Sequence, residues 1–599
     1  MKRIVYLTNV IRRLGIMNQT LERLLNEGKL HPNCVCRWIG DDQEWNADWQ
    51  REIESADFLL IKWMGTGLDT PFLRKLIGCL HRKQIPFYID AAGSKEGEMS
   101  NGISSEDIFA FKNYAAFGGE LNYLHTWEYA NALLDGGKES IPKPDPAHWD
   151  GIYHPKAKKI YKDILEYKKD FCQEGLPTIG FLFYRDEWVW KDLTYQDALI
   201  EEIERQGMNA VAVFSNGLPD ESLGQLSLNN VFAKYFSVCG LPAIDCFINT
   251  LKFSLTNSKS LTIDFLKQWN VPFLQAYTTI APFEEWKNSF EGMNSMEISI
   301  SVSLPEFDGA VHGVPIANKF ILENGDVRYL PIPERIVRMV SKAKKWANLR
   351  RKENAEKKIA IIFHNYPPRN SNIGSAVGLD TIESVRRMLI ELQEQGYKVN
   401  YVPNDTKEFI NELTRNATND RAFLTDRQID EAQKITGAQY KQFFDTFETK
   451  IKEQMKKDWD DAPGSVMEYD GNILVPGTMN GNVFITVQPP RGFGEDPAKI
   501  YHDPFTAPTH QYLAFYRWIR DIWQADAIAH IGTHGNLEWL PGKNAGLDCS
   551  CYPDLSLGDL PNIYPYHITI TGEGVQAKRR GAACLIEYLP APQTTAGTY

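Results

Sequence analysis

The run PTIGFLFYRDEWVWKDLTYQDALIEEIERQGMNAVAVF (177–214) constrains the fold most. An apolar segment (178–184) leads into an amphipathic stretch over 195–206. Gly207 then stops the helix, and a second apolar run (209–214) follows. A buried strand, a helix that covers it and a second buried strand pair in parallel, because the crossover is too long for a hairpin. The pattern recurs. Residues 3–8, 57–62 and 86–90 read as strands separated by helical stretches, and 104–173 reads as helix-rich. Further strands are expected at 244–249, 271–274 and 298–303. From 358 the chain runs strand, long loop, helix capped by Asp380, and strand again to 402. A helical insert (406–457) and a strand at 482–487 follow. The fold class is α/β, with several doubly wound, Rossmann-like or flavodoxin-like units and helical insertions.

Four segments are expected: an N-terminal α/β domain with a helical extension (1–174), a second α/β domain (175–332), a basic connector (333–357) and a third α/β domain (358–599). The stretch 333–358 carries ten Lys or Arg residues and reads as a solvated helix. Apolar residues make up 43% of the 599, which suits ordinary globular cores. A net charge of −12 argues against nucleic acid as the main partner. The opening MKRIVYLTNVI meets Arg12 and Arg13 too soon for a signal peptide, and no run reaches the ~20 apolar residues of a membrane span. A cytoplasmic location is therefore expected, with no transmembrane segment. The nine cysteines, including the pairs Cys34/Cys36 and Cys549/Cys551, lack the usual zinc spacing and read as free thiols.

Chemistry concentrates near the C-terminus. ADAIAHIGTHGNLEWLPGK places His530, His534 and Glu538 at four-residue spacings, and four of the twelve histidines lie in 502–534. Two imidazoles and a carboxylate so close together suit a metal ion. Gly532 and Gly535 break a continuous helix, so the ligands are expected to converge from a strand end and a turn. His502 and Asp503 are further candidates. The loop HNYPPRNSNIGSAVGLD (364–380) lies between strand and helix but has no Walker Lys-Ser/Thr. This chain is thus not expected to hydrolyse nucleotide itself. Arg369, Asn372, Gly374 and Ser375 are placed to hold ligand carboxylates. Arg491 sits in a Pro-Pro-Arg-Gly turn at a strand end. The run Lys578, Arg579, Arg580 also suits an anion, with Lys578 and Arg579 as the candidates.

FHNYPPRNSNIGSAVGLD, VQPPRGFGEDPAKIYHDPFTAPTHQYLAFYRWI, ADAIAHIGTHGNLEWLPGK, PDLSLGDLPNIYPY and GEGVQAKRR, in this order, resemble the large subunit of the cobaltochelatase and magnesium chelatase family (the CobN type and the H subunit). Weaker echoes are PTIGFLFYRDEW, INTLKFSL and PEFDGAVHG. The resemblance implies insertion of a divalent metal into a tetrapyrrole, with ATP hydrolysed by separate AAA+ subunits. It makes His530 and His534 metal- or proton-handling groups and Glu538 a base or ligand. Arg369, Arg491 and Lys543 would pair with acidic ring substituents. An imidazole-rich site favours cobalt over magnesium. Family members usually run well beyond the equivalent of Tyr599, so a fragment or a short form is expected. Two alternatives stay open: a non-catalytic tetrapyrrole-binding protein or truncated homologue, and an enzyme that removes metal from the ring.

Overall fold

The computed structural model describes residues 2–40, 43–64, 70–91, 99–217, 219–256, 264–322, 327–365, 367–376, 379–416, 418–492, 503–532, 535–565 and 571–586. Three large sheets, dominated by parallel pairs, carry the described chain, with two small antiparallel sheets beside them.

In the first unit, Val35–Trp38, Ile4–Thr8, Phe58–Trp63 and Phe87–Ala91 stand side by side, all parallel. The first strand lies inside the sheet because all five of its residues are buried. Helices Ile11–Asn26, Ser105–Phe117 and Glu120–Asp135 cover one face. Helices Ala47–Glu54 and Pro71–Lys83 cover the other.

The second sheet has seven strands. Thr178–Tyr184 and Asn209–Ser215 pair in parallel, as the sequence pattern requires. Cys246–Asn249, Phe273–Thr279 and Val311–Ile321 extend it in parallel, and Val327–Pro331 closes one edge antiparallel. The other edge is Gly151–Tyr153, antiparallel to Asn209–Ser215. Ile152, Tyr161, Ile164 and Tyr167 pack into this unit's core, so the helical extension expected for the first unit passes into the second from about residue 151.

Two expected strands are absent. Residues 298–303 form a π-helical turn continuous with helices Ser295–Glu297 and Leu304–Phe307. The alternation Ile-Ser-Ile-Ser-Val-Ser mimics a strand, but the Asn294–Glu297 capping box starts a helix just before it. Residues 398–402 join no sheet. There the Asn480 side chain accepts the Asn400 and Tyr401 N–H groups, both at 2.9 Å, in place of a strand partner.

The basic connector is not a solvated helix. Pro333–Arg351 packs against the second sheet, burying Ile336, Met339, Val340, Ala343 and Ala347. Two of its cations are buried as well. Arg335 pairs with Asp554 at 3.1 Å, and Lys342 is pushed down to about 8 by loss of water.

The third sheet runs Gly477–Asn480, Val483–Val487, Ile359–Phe363, Ala527–Ile531, Asn562–Pro565, Ala583–Ile586. Only its first pair is antiparallel. Helix Thr381–Glu394 buries one face and His510–Arg517 the other. The second and third units are pinned together. The Trp286 indole donates to the Gly546 carbonyl at 2.9 Å. Gly546 itself has φ +65° and lies so close to Met293 that a Cβ would meet its side chain at 2.9 Å.

Candidate functional site

From Ile359–Phe363 the chain moves to one neighbour, Val483–Val487. It then crosses back to the other, Ala527–Ile531. The connecting helices lie on opposite faces, so the loops part at the carboxyl edge between these strands. Open α/β sheets bind ligands at such a switch point. His364, Gln488, Arg491 and Gly532 all follow strand ends there.

His530 lies on the buried strand, paired in register with Ile362. Its Nδ1 is 2.8 Å from Asn562 Oδ1, and its Nε2 is 2.8 Å from the Tyr516 hydroxyl. Asn562 gives its NH2 to the Gly581 carbonyl, which leaves its Oδ1 to accept from His530. The imidazole is therefore the Nδ1–H tautomer, and Nε2 accepts from Tyr516. The same hydroxyl accepts from Gln488 Nε2 at 2.9 Å, while Gln488 Oε1 accepts from the Asn536 N–H at 3.0 Å. Burial pushes His530 down to about 4, so it is neutral at neutral pH.

Glu538 sits on the short 3-10 turn Leu537–Trp539 and is 2% exposed. Its Oε1 accepts from the Gly535 N–H at 3.0 Å and from the Tyr564 hydroxyl at 3.3 Å. The Tyr564 ring also lies 5.7 Å from that of His530, so one tyrosine touches both candidates. Around them, several buried amide atoms have no hydrogen-bond partner: Nδ2 and Oδ1 of Asn365, Oδ1 of Asn536 and Oε1 of Gln511. Buried polar atoms are nearly always satisfied, so such a group marks a place for water or ligand.

The expected metal triad is not assembled among the described residues. His530 has both nitrogens committed, and no group of three or more His, Cys, Asp or Glu side chains there could hold a metal ion. His534 and His502 lie outside the described residues. Asp503 turns its carboxylate to the Thr506 hydroxyl and the Phe505 N–H. Those hydrogen bonds, led by Thr506, hold it below the usual range. His510 is a core residue, bonded to the Tyr440 hydroxyl at 3.0 Å and the Asp460 carbonyl at 3.1 Å.

The expected anion-holding groups divide. Arg491 is buried at the site, donating to the Trp539 carbonyl at 2.7 Å and to the Asp503 carbonyl. Lys543 instead ties the units together. Its ammonium donates to the Lys287 and Ser289 carbonyls, both at 2.8 Å, and faces Asp548 at 3.6 Å. Arg579 likewise pairs with Glu306 of the second unit at 3.0 Å, and Lys578 is half-buried on the same helix. The loop after Phe363 folds on itself. The Gly374 and Ser375 N–H groups go to the His364 and Asn372 carbonyls, and the Asn372 side chain to the Pro367 carbonyl. They form no free anion cradle, and Arg369 is exposed. Sequence reasoning named Asn562 and read Tyr516 as core, and it passed over Gln488, Tyr564 and His364. Only His364 had a signal, standing directly after a buried strand.

A cleft of about 420 Å³ opens beside the Glu538 turn, lined by Arg491, Trp539, Leu540, Gln576, Arg580 and Phe290 among others. Phe290 comes from the second unit and the rest from the third, so the cleft lies where the two meet.

The family model CobN/Magnesium Chelatase matches residues 112–599. An uncharacterised protein of Methanocaldococcus jannaschii is 42% identical over 81% of this chain and 40% of its own length. The aerobic cobaltochelatase subunit CobN of Pseudomonas aeruginosa is 34% identical over 86% of this chain and 41% of its own. The chloroplastic magnesium-chelatase subunit ChlH of Oryza sativa is 30% identical over 75% of this chain and 32% of its own. The structure of the catalytic subunit of cobaltochelatase from Mycobacterium tuberculosis superposes with TM-score 0.71 at 26% identity, over 98% of this chain and 47% of that one. The chain thus spans less than half the length of these relatives. With a family model covering most of its residues, the chain belongs to the CobN/magnesium chelatase family.

Proposed function

We propose that this chain is the macrocycle-binding part of a chelatase that inserts a divalent metal into a corrin or porphyrin, driven by ATP hydrolysed on separate AAA+ subunits. One observation carries the site: Glu538 is a buried carboxylate that accepts from the Gly535 N–H and the Tyr564 hydroxyl, on a turn beside a 420 Å³ cleft at the switch point of the third sheet. Insertion must remove two pyrrole N–H protons. A carboxylate positioned beside the cleft can serve as the acceptor. His530 acts as a positioning residue. Neutral and fully bonded, it fixes Tyr516 and through it Gln488 and the Asn536 turn. Arg491 braces the Trp539 carbonyl next to Glu538. His534 and His502 are assigned to handling the incoming metal, which is a substrate here.

Cobalt is preferred to magnesium. The imidazole argument weakens once His530 is committed internally. The preference now rests on the cobaltochelatase subunits, which match more of the chain at higher identity than the magnesium enzymes do. The test is insertion by the native full-length protein with its ATPase subunits, ATP and Co²⁺ or Mg²⁺, read from the macrocycle's visible spectrum. Absence of ATP-dependent insertion of either metal overturns the proposal. Insertion of Mg²⁺ alone overturns the cobalt assignment.

A further inference from the structure

The basic run at 578–580 separates in three dimensions. Arg579 is neutralised by Glu306, but Arg580 turns into the cleft that also holds Arg491. Arg580 donates to two backbone carbonyls, Leu540 at 2.5 Å and Gly542 at 3.3 Å. Its Nε is buried with no acceptor, and among the described residues no carboxylate lies within ion-pairing distance of its guanidinium. Nearby charges include Glu538, which favours its charge, and Arg491, which opposes it. Burial, with Arg491 acting in the same direction, outweighs the raising effects of Cys551 and Glu538 and depresses the guanidinium. A guanidinium stays charged, so a mostly buried one without a counter-ion is costly unless an anion arrives.

The cleft says more about that anion. On the second unit's side stands Phe290, 54% exposed, with its ring 6.1 Å from that of Phe505, which is 70% exposed. Phe290 lines a cleft that holds two guanidinium groups alongside Asp503 and Glu573, and with the Phe505 ring beside it this face is complementary to a flat apolar molecule with an acidic edge.

We infer that Arg580 is the carboxylate-holding residue of this cleft, and that Phe290 contacts the face of the flat ligand whose acidic side chain Arg580 binds. The ligand class is a planar macrocycle with free carboxylates, so the inference rests on the function proposed above and assigns its specificity to Arg580. Arg491 assists but already braces the Glu538 turn. Arg580 is the group whose charge the substrate completes.

The test uses the native full-length protein and two probes, a porphyrin dicarboxylic acid and its dimethyl ester. Binding is followed by quenching of porphyrin fluorescence. The native protein is expected to bind the acid about 10–100-fold more tightly than the ester, the worth of a charge-assisted hydrogen bond. Arg580→Gln should weaken the acid by that factor, leave the ester within about twofold and so abolish the discrimination. Arg580→Lys should restore part of it. Because Arg580 also holds the Leu540 and Gly542 carbonyls, Phe290→Ala supplies an independent arm on an exposed residue. It should weaken both probes equally, by about 5–10-fold for a lost aromatic contact. If the native protein binds neither probe, the function proposed above fails. If it prefers the acid and Arg580→Gln keeps that preference, the assignment of Arg580 is overturned. If Phe290→Ala leaves both affinities unchanged, the facial contact is overturned.

Discussion

The first and third units both end parallel strands on a carboxyl edge, yet they treat charge there in opposite ways. In the first, Asp90 at the end of Phe87–Ala91 pairs with Lys62 on the adjacent strand at 2.8 Å and with Arg13 at 3.0 Å. The Asp90 carboxyl drops below its usual range despite its burial, because two cations face it. In the third, Arg580 has no carboxylate partner among the described residues and lines an open cleft, and the buried Asn365 amide has no hydrogen-bond partner. An edge whose charges are satisfied from within holds the fold. An edge that leaves donors unmatched is prepared for something else. The same topology thus pairs its charges internally in one unit and leaves polar groups unmatched in the other.

The sharpest test exchanges a carboxylate on each edge. Glu538→Gln keeps an oxygen for the Gly535 N–H but removes the proton acceptor. ATP-dependent insertion by the complete complex should fall by about 10²–10⁴-fold, with affinity for the free macrocycle nearly unchanged. Retention of a tenth of the native rate would remove Glu538 from the chemistry. Asp90→Ala on the first edge should do the converse. It strands Lys62 and Arg13 and should cost about 3–5 kcal/mol in urea unfolding, with macrocycle affinity intact in protein that remains folded. A loss below 1 kcal/mol would show that this edge is not held by its ion pairs.

A smaller effect comes from pH. His530 has a folded value of about 4 against 6.5 unfolded, so between those values the unfolded chain takes up the proton and the folded chain does not. Stability from this residue is complete above pH 6.5 and is lost as pH falls, by about 2 kcal/mol at pH 5 and about 3 kcal/mol below pH 4. His530→Gln should flatten that part of the pH dependence in denaturant titrations. An unchanged slope would mean that His530 is not the buried neutral group described. The smallest effect is expected at Arg369. Exposed on a loop whose Gly374 and Ser375 N–H groups are already bonded, it should change stability by less than about 0.5 kcal/mol and macrocycle affinity by less than twofold as Arg369→Gln. A tenfold weakening would return the loop to the binding site.

The sequence by itself determined the α/β class, because strands such as 178–184 and 209–214 are apolar throughout and the helix between them is amphipathic. It also determined the family, through ordered motifs. It failed where a local pattern was overruled: at 298–303 by a capping box, at 398–402 by the Asn480 side chain, and at 333–351 by burial against the second sheet. What only the tertiary structure decided was which charged and polar groups find partners. In sequence Lys578, Arg579 and Arg580 are alike, as are His510 and His530. Whether a carboxylate, a carbonyl or an empty cleft faces each one depends on residues tens to hundreds of positions away, such as Glu306 for Arg579 and Phe290 beside Arg580. Local periodicity records which face is buried. It does not record what waits on the other side, and the long-range pairing that left Arg580 exposed to the cleft belongs to the packed chain alone.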